Sequence, residues 1–324
     1  MSEIKLQYGI ASGAPDEQML FIQQQGMKYV NVALSNEDSN YDAIMRLRER
    51  LDRFGLIPSD AGNPRIQFHP SILFGRSDRD EYIDRFNNFT RDIGKAGIRI
   101  TYASWKANPI QTTRIGIGEH TNRADARIVD LNQLNTLPYS HGREYTEEET
   151  WATFKYFIER VIPVCEEADV RLAMHPSDPP VQMMQGIYNL IHSAKDYRRA
   201  FELAGDSPYL GMKMCVGCWL EGGDVFGDLM SDIKEFVDRK KVFIVHFRNV
   251  SAQLLYFEET LPENGYMDMY SVMKQYVRCQ YDGYLYSDHA PLFSEQYGGR
   301  HSAYAYSNGY IKALLKCAEA ELEN

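Results

Sequence analysis

The chain has 324 residues and a formal net charge of −10, a balance that opposes general binding to nucleic acid or to an anionic membrane. Apolar residues make up 44% and charged residues 25% of the sequence, which is typical of a globular protein and argues against disorder. The first residues lack the pattern of a secretory signal, no apolar run approaches the roughly 20 residues that span a bilayer, and five scattered cysteines do not suggest a disulfide framework, so we expect a cytoplasmic protein.

Short apolar runs alternate along the chain with longer amphipathic stretches. The predicted strands are 6–12, 28–34, 56–60, 98–104, 170–175, 210–216, 242–249 and 283–288. The third is the weakest, because Pro58 interrupts it. The predicted helices include 41–54, 79–95, 147–168, 224–238 and 304–322. Eight strands that alternate with helices predict an α/β protein, a single (β/α)8 TIM barrel that occupies residues 1–324.

Residues 106–145 interrupt this alternation. They are rich in Asn, Arg, Thr, Pro and Gly and show no clear period. A segment of that length without regular structure is uncommon inside a compact domain and usually serves a function or is mobile. We therefore predict a loop insertion after strand four, over the face where barrel active sites form.

Four polar residues lie at the ends of the four later strands: His175, Cys215, His246 and Asp288. They are 31 to 42 residues apart, about one strand–helix unit each, so a barrel would bring them together on one rim. Two imidazoles, a thiolate and a carboxylate form a ligand set for a divalent transition metal. Any one of them alone is commonly structural, but four in phase with the repeat favour a metal site.

The pair Cys215 and Cys218 forms a CxxC motif, which raises two alternatives. A structural zinc site with four thiolates is disfavoured, because the sequence contains no second CxxC. Redox chemistry is disfavoured because Cys215 lies within a predicted strand, whereas a reactive dithiol is typical of a helix N-terminus.

Three basic residues lie near the predicted rim. Arg248 follows His246 by two positions and should share its face of the strand, where it could hold a substrate carboxylate or form a structural ion pair. Arg114, just after strand four, could serve the same purpose. Lys213 precedes Cys215 by two positions and either has a function or is paired inside the barrel.

With these residues in place, the chain resembles the mannonate dehydratase family of the xylose-isomerase-like barrels. The motifs that carry the resemblance are "AMHPSDPP", "MCVGC", "VHFRNV", "FEETLPENGYMDMY" and "SDHAP", with a weaker similarity in "ITYASWKANPIQTTR". The resemblance implies dehydration of D-mannonate to 2-keto-3-deoxy-D-gluconate with a divalent metal, Mn²⁺ before Fe²⁺ or Zn²⁺. It also implies that the four strand-end residues ligate the metal.

The same resemblance implies catalytic roles for His289, next to the Asp ligand, and for a partner tyrosine, either Tyr304 or Tyr306. Arg248 would assist catalysis by orienting the substrate. The residues expected to contact the sugar acid are Arg114, Asp178, Arg248 and Glu258.

The sequence departs from the family pattern at Ser177, where the family generally has an acidic residue, and at Ala290, where a glycine is typical. Two other functions therefore stay open: a divalent-metal sugar isomerase or epimerase, and a homologue that binds metal and sugar acid without turnover. The expected partner is a small sugar acid, with neither nucleic acid nor membrane. Homo-oligomers are common among such barrels.

Overall fold

The computed structural model describes residues 3–323 of the chain. Eight parallel strands form the inner barrel, and each of them overlaps the range predicted for it. They are β1 (Lys5–Ala11), β2 (Tyr29–Ala33), β3 (Ile57–Gly62), β4 (Ile100–Ser104), β5 (Arg171–His175), β6 (Leu210–Cys215), β7 (Val242–His246) and β8 (Tyr284–Tyr286). The weakest prediction, β3, is confirmed: Pro58 lies near its start, and the ladder to β2 continues to Gly62.

The strands follow the order β3-β2-β1-β8-β7-β6-β5-β4, all in parallel register. Within residues 3–323, no backbone ladder joins β3 to β4. Gln67, which follows β3, crosses this seam and donates hydrogen bonds to the Thr101 hydroxyl at 2.8 Å and to the Tyr102 carbonyl. Because all strands are parallel, their carboxyl ends meet at one rim.

Helices cover the outside of the barrel. The α-helices are Asp16–Gln24, Tyr41–Asp52, Pro64–Gln67, Pro70–Leu73, Arg79–Lys95, Leu131–Leu134, Glu147–Ala168, Ala194–Leu203, Val216–Gly222, Leu229–Asp238, Met269–Arg278 and Gly299–Glu323. Helix Glu147–Ala168 begins at a capping box in which Thr146 and Glu149 satisfy each other's backbone N–H groups. Among the described residues, no helix has the length and apolar character that crossing a membrane requires.

The helix predicted at 224–238 is wrong at its start. The chain instead forms helix Val216–Gly222 and a 3₁₀ turn over Gly223–Val225, and the second helix begins only at Leu229. Gly227 has a φ of 153°, a backbone conformation that favours glycine and interrupts the helix. Asp228 then caps the new helix by accepting a hydrogen bond from the backbone N–H of Ser231 at 2.7 Å.

The insertion after β4 is more regular than the sequence suggested. Strands Arg114–Ile117 and Asp125–Asp130 pair antiparallel, and Tyr256–Glu258, from the segment after β7, adds a third strand. We call these three strands the outer sheet. Its middle strand is buried at four successive positions, 126 to 129, so it lacks the alternation of apolar and polar residues that reveals a strand in a sequence.

Candidate functional site

Three of the predicted ligands converge at the carboxyl rim of the barrel. His175, Cys215 and His246 end β5, β6 and β7, and Cys215 pairs with His246 in the β6–β7 ladder. One ligand atom of each residue lies within 4.8 Å of the others. Cys215 and His246 are buried, and His175 is partly buried. The carboxyl ends of three neighbouring strands therefore bring the three side chains to one point.

Asp288 joins this cluster from the turn after β8. One carboxylate oxygen lies 3.1 Å from His246 Nδ1, and the other lies 3.8 Å from Cys215 Sγ. Its φ of 57° is in the left-handed region, which Asp tolerates better than most residues. We call His175, Cys215, His246 and Asp288 the rim cluster.

The rim cluster fits a divalent ion. His175 Nδ1 lies 2.7 Å from the carbonyl oxygen of Pro176, so it donates that hydrogen bond and leaves Nε2 as the ligand atom. His246 Nδ1 is buried without a well-aligned hydrogen bond, although it lies close to Asp288. An ion bound at about 2.0–2.3 Å separates neighbouring ligand atoms by roughly 3–4 Å, the range seen between Asp288 and its two neighbours.

The electrostatic surroundings keep two of these groups anionic. Burial opposes ionisation of Cys215, but the Cys218 thiol, the Arg248 guanidinium and the two histidines hold the pKa of its thiol well below the ordinary value. Burial opposes ionisation of Asp288 in the same way, and His246, His289 and Arg248 hold its pKa well below the usual range. A thiolate and a carboxylate are thus ready to bind a cation.

Arg248, behind the rim cluster, is fully engaged by the protein. Its side chain is 1% exposed, and its three nitrogens lie 2.9 Å from Asp288, 2.9 Å from Asp178 and 2.7 Å from Glu221. Sequence reasoning assigned Arg248 to the substrate carboxylate. The structure directs its guanidinium to protein carboxylates instead, and this favours the structural alternative.

A second arginine, Arg127, belongs to the same buried network. It reaches inward from the outer sheet and lies 2.6 Å from Asp178 and 3.0 Å from Glu259. Asp178 therefore lies between two guanidinium groups, both of which donate hydrogen bonds to it. Burial and the charge of Asp178 raise the pKa of the fully buried Glu221, while Arg248 and Arg127 oppose this shift.

His289 faces a cleft beside the rim cluster. Its Nδ1 lies 2.7 Å from a carboxylate oxygen of Glu259, which leaves Nε2 available for proton transfer. Burial lowers the pKa of His289, but Asp288 and Glu259 outweigh it and raise that pKa to about 9. The cleft has a volume of about 310 Å³ and is lined by Arg127, Glu259, His289 and Tyr304, among others.

The two candidate tyrosines differ in position. Tyr304 lines the cleft with His289, and its ring packs against Tyr8 and Tyr286. Tyr306 is 44% exposed and donates a hydrogen bond to Glu263 outside the cleft. Of the two, only Tyr304 is near His289.

Arg114 and Glu258 lie on the outer sheet, away from the rim cluster. The carboxylate of Glu258 accepts hydrogen bonds from the backbone N–H of His120 at 2.8 Å, from that of Glu119 at 3.2 Å and from the Tyr256 hydroxyl at 3.0 Å. Arg114 is exposed and donates to the Ile117 carbonyl at 3.3 Å. The structure does not bring either residue to the site that the sequence predicted for it.

Sequence reasoning missed Glu259, Arg127 and Glu221. Glu259 could have been found, because neighbouring residues of an extended segment point to opposite sides. In the structure, the side chain of Glu259 points toward the barrel and that of Glu258 points away from it. Arg127 carries no comparable signal, since it comes from the insertion and reaches the barrel only through tertiary packing.

The structure also revises the expectation for the CxxC pair. Cys215 ends β6 and is at the same time the N-cap of helix Val216–Gly222, so the argument that it lies away from a helix start is wrong. Cys218 is fully buried and lies 3.9 Å from Arg248 Nη2. The position of Cys215 among His175, His246 and Asp288 still favours a ligand role.

Comparison with known proteins agrees with this geometry. The family model for D-mannonate dehydratase (UxuA) matches residues 124–321, more than half of the chain. The mannonate dehydratase of Thermotoga maritima is 27% identical over 287 residues, 78% of each chain. That of Enterococcus faecalis is 28% identical over 315 residues, 86% of each chain.

A solved structure shows the same fold. The crystal structure of the mannonate dehydratase from Streptococcus suis serotype 2 aligns with a TM-score of 0.88 at 23% sequence identity, covering 100% of this chain and 96% of that one. This match confirms the predicted TIM barrel. Together with the family match across the segment that carries the rim cluster, it confirms the resemblance seen in the sequence: the chain belongs to the D-mannonate dehydratase (UxuA) family.

Proposed function

We propose that this protein is a hydro-lyase that converts D-mannonate to 2-keto-3-deoxy-D-gluconate and water, with a divalent metal held by His175, Cys215, His246 and Asp288. The observation that carries the proposal is the convergence of His175, Cys215 and His246 at one rim, with Asp288 beside the last two, next to a cleft that contains His289 and Tyr304. Mn²⁺ is favoured over Fe²⁺ and Zn²⁺, because the family resemblance implies it.

The bound ion would supply charge stabilisation for the sugar-acid carboxylate and acidify the proton on C2. His289 Nε2 takes that proton. Its Nδ1–H donates to Glu259, which fixes the ring and stabilises the imidazolium that forms. Against the effect of burial, Asp288 and Glu259 raise the pKa of His289 to about 9, which favours the protonated ring. An ion held by Asp288 would offset the charge of that carboxylate and so favour the neutral ring that can accept the C2 proton.

Tyr304 donates a proton to the departing C3 hydroxyl, so that the C3–O bond breaks and water leaves. Burial and the charges of Asp288 and Glu259 raise the pKa of Tyr304, so its hydroxyl keeps its proton at neutral pH and acts as a donor. The enol that results becomes the 2-keto acid by taking up a proton at C3 and releasing the proton of its C2 hydroxyl.

The proposal is tested by loading the purified protein with Mn²⁺, Fe²⁺ or Zn²⁺ and following D-mannonate by NMR. Formation of the 2-keto-3-deoxy acid supports it. Lack of that product from every C5 and C6 aldonate in a panel would contradict it. Interconversion of an aldose and a ketose without loss of water would favour an isomerase, and metal binding without any turnover would favour a binding protein.

A further inference from the structure

The cationic side chains around the rim cluster differ in whether other protein groups bind them. Arg248 and Arg127 are held by two or more carboxylates each. Lys213, below the cluster, lies 4.0 Å from Asp60 and 3.8 Å from the centre of the Tyr102 ring. These three cations are committed to protein partners and cannot also bind a substrate anion without losing them.

Lys106 is different. It lies two residues beyond the end of β4, on the same rim as the proposed metal ligands, and lines a small pocket with Asn108, Ser177, Asp178 and Asn189. Its ammonium group makes no hydrogen bond and no ion pair within residues 3–323. Asp178, whose carboxylate lines the same pocket, is occupied by the two arginines.

The ammonium group nevertheless lies within electrostatic range of the metal site. Burial lowers the pKa of Lys106, and the charges of Asp178, Cys218 and Asp288 counteract that shift. In return, the charge of Lys106 contributes to lowering the pKa of His175, after the larger effects of burial and His246. A partly buried ammonium without a hydrogen-bonded anion is costly, and a bound anion would remove that cost.

We propose that Lys106 binds the carboxylate of the sugar-acid substrate and thereby selects acids over neutral sugars. This rests on the proposed function, since it assigns a recognition residue for that reaction. It also replaces Arg248 in the role that the sequence suggested, because each of the three Arg248 nitrogens lies within 2.9 Å of a protein carboxylate. Lys106 lies on the β4 side of the rim cluster and His289 on the β8 side, so a substrate bound between them would have its carboxylate toward Lys106 and the adjacent C2 toward His289.

The test compares the metal-loaded wild type with Lys106→Met and Lys106→Arg, and uses Lys155→Met, on the exposed face of helix Glu147–Ala168, as a matched control. The probes are D-mannonate and its neutral amide, D-mannonamide. Lys106→Met should raise KM for D-mannonate by about tenfold or more, the scale of one charge-assisted hydrogen bond. Its affinity for D-mannonamide should change less than about twofold.

Lys106→Arg should have a KM close to that of the wild type, because it keeps the positive charge. Lys155→Met should behave as the wild type. Metal content and melting temperature, measured for every variant, separate recognition from folding. An unchanged KM in Lys106→Met, or an equal loss of affinity for the acid and the amide, would overturn the proposal.

If the proposed function is wrong, the metal-loaded wild type itself does not dehydrate D-mannonate, and this result is distinct from the outcomes above. In that case calorimetric titration of metal-loaded wild type and Lys106→Met with C5 and C6 aldonates and their amides takes the place of kinetics. Weaker binding of the acids alone in Lys106→Met supports the assignment of Lys106. Equal binding by both proteins, or no binding by either, overturns it.

Discussion

The rim cluster and the outer sheet meet at two consecutive glutamates that have opposite surroundings. Glu259 points to the barrel, where it pairs with His289 and Arg127. Glu258 points the other way and accepts hydrogen bonds from the backbone of residues 119 and 120. The same carboxylate chemistry holds the histidine proposed for proton transfer on one side and a loop on the other, and the direction of the side chain decides between them.

The two regions are also joined. The backbone of Arg127 lies in the outer sheet, and its guanidinium lies between Asp178 and Glu259. The insertion therefore supplies one of the two guanidinium groups that neutralise the buried carboxylates. A barrel without the insertion would leave Asp178 with Arg248 as its one close arginine. The outer sheet thus supports the site without contributing the residues proposed for catalysis.

The largest effect should come from the rim cluster. Cys215→Ala should reduce the metal content from one equivalent to nearly none and lower kcat by about a thousandfold, because removing one ligand leaves three donors to hold the ion. Cys317→Ala, which changes an exposed cysteine, is the control and should keep both values. Full metal content in Cys215→Ala, measured by atomic spectrometry, would refute the site.

The paired glutamates provide the sharpest comparison. Glu259→Gln should lower kcat by about a hundredfold, since the amide cannot stabilise the His289 imidazolium as a carboxylate does. Glu258→Gln, one residue away, should change kcat less than about threefold. Steady-state kinetics on both variants decides this, and equal losses would show that both regions act in the reaction.

The tyrosines provide a similar comparison at smaller scale. Tyr304→Phe removes a hydroxyl from the cleft and should lower kcat by about ten- to a hundredfold. Tyr306→Phe removes an exposed hydroxyl that contacts Glu263 and should leave kcat unchanged. A larger loss in Tyr306→Phe than in Tyr304→Phe would reverse the assignment.

The smallest effect concerns the stability of the outer sheet and its dependence on pH. Burial acts to raise the pKa of Glu258, but the N–H groups of His120 and Glu119 and the Tyr256 hydroxyl outweigh it and hold that pKa below the ordinary value. A lowered folded-state pKa adds stability that is present above the unfolded-state pKa and is lost as the pH falls through the folded one.

Glu258→Gln should therefore be less stable than the wild type at pH 7 by about 1–2 kcal/mol. The difference should shrink as the pH is lowered through and below the ordinary pKa of glutamate, about 4.3. Urea unfolding at pH 7 and pH 3.5 measures it. A difference that does not depend on pH would mean that the charge of Glu258 has no part in holding the loop.

Much of the molecule could be predicted from the sequence. The eight strands follow from local apolar periodicity, and the grouping of His175, Cys215, His246 and Asp288 follows from their place at the strand ends. In a parallel barrel, the carboxyl ends of all strands lie at the same rim. Residues that end successive strands are therefore close in space although they are far apart in the sequence.

Other features were decided by tertiary structure alone. The register of the segment after β7 directs Glu259 rather than Glu258 to His289, and packing of the insertion against the barrel brings Arg127 to Asp178. The carboxylates that surround Arg248 come from four different segments of the chain. Among residues 3–323, no carboxylate forms an ion pair with Lys106. The sequence by itself determined which strands end in residues able to bind a metal. Which charges neutralise one another depends on side-chain direction and long-range packing, and no local sequence pattern encodes these.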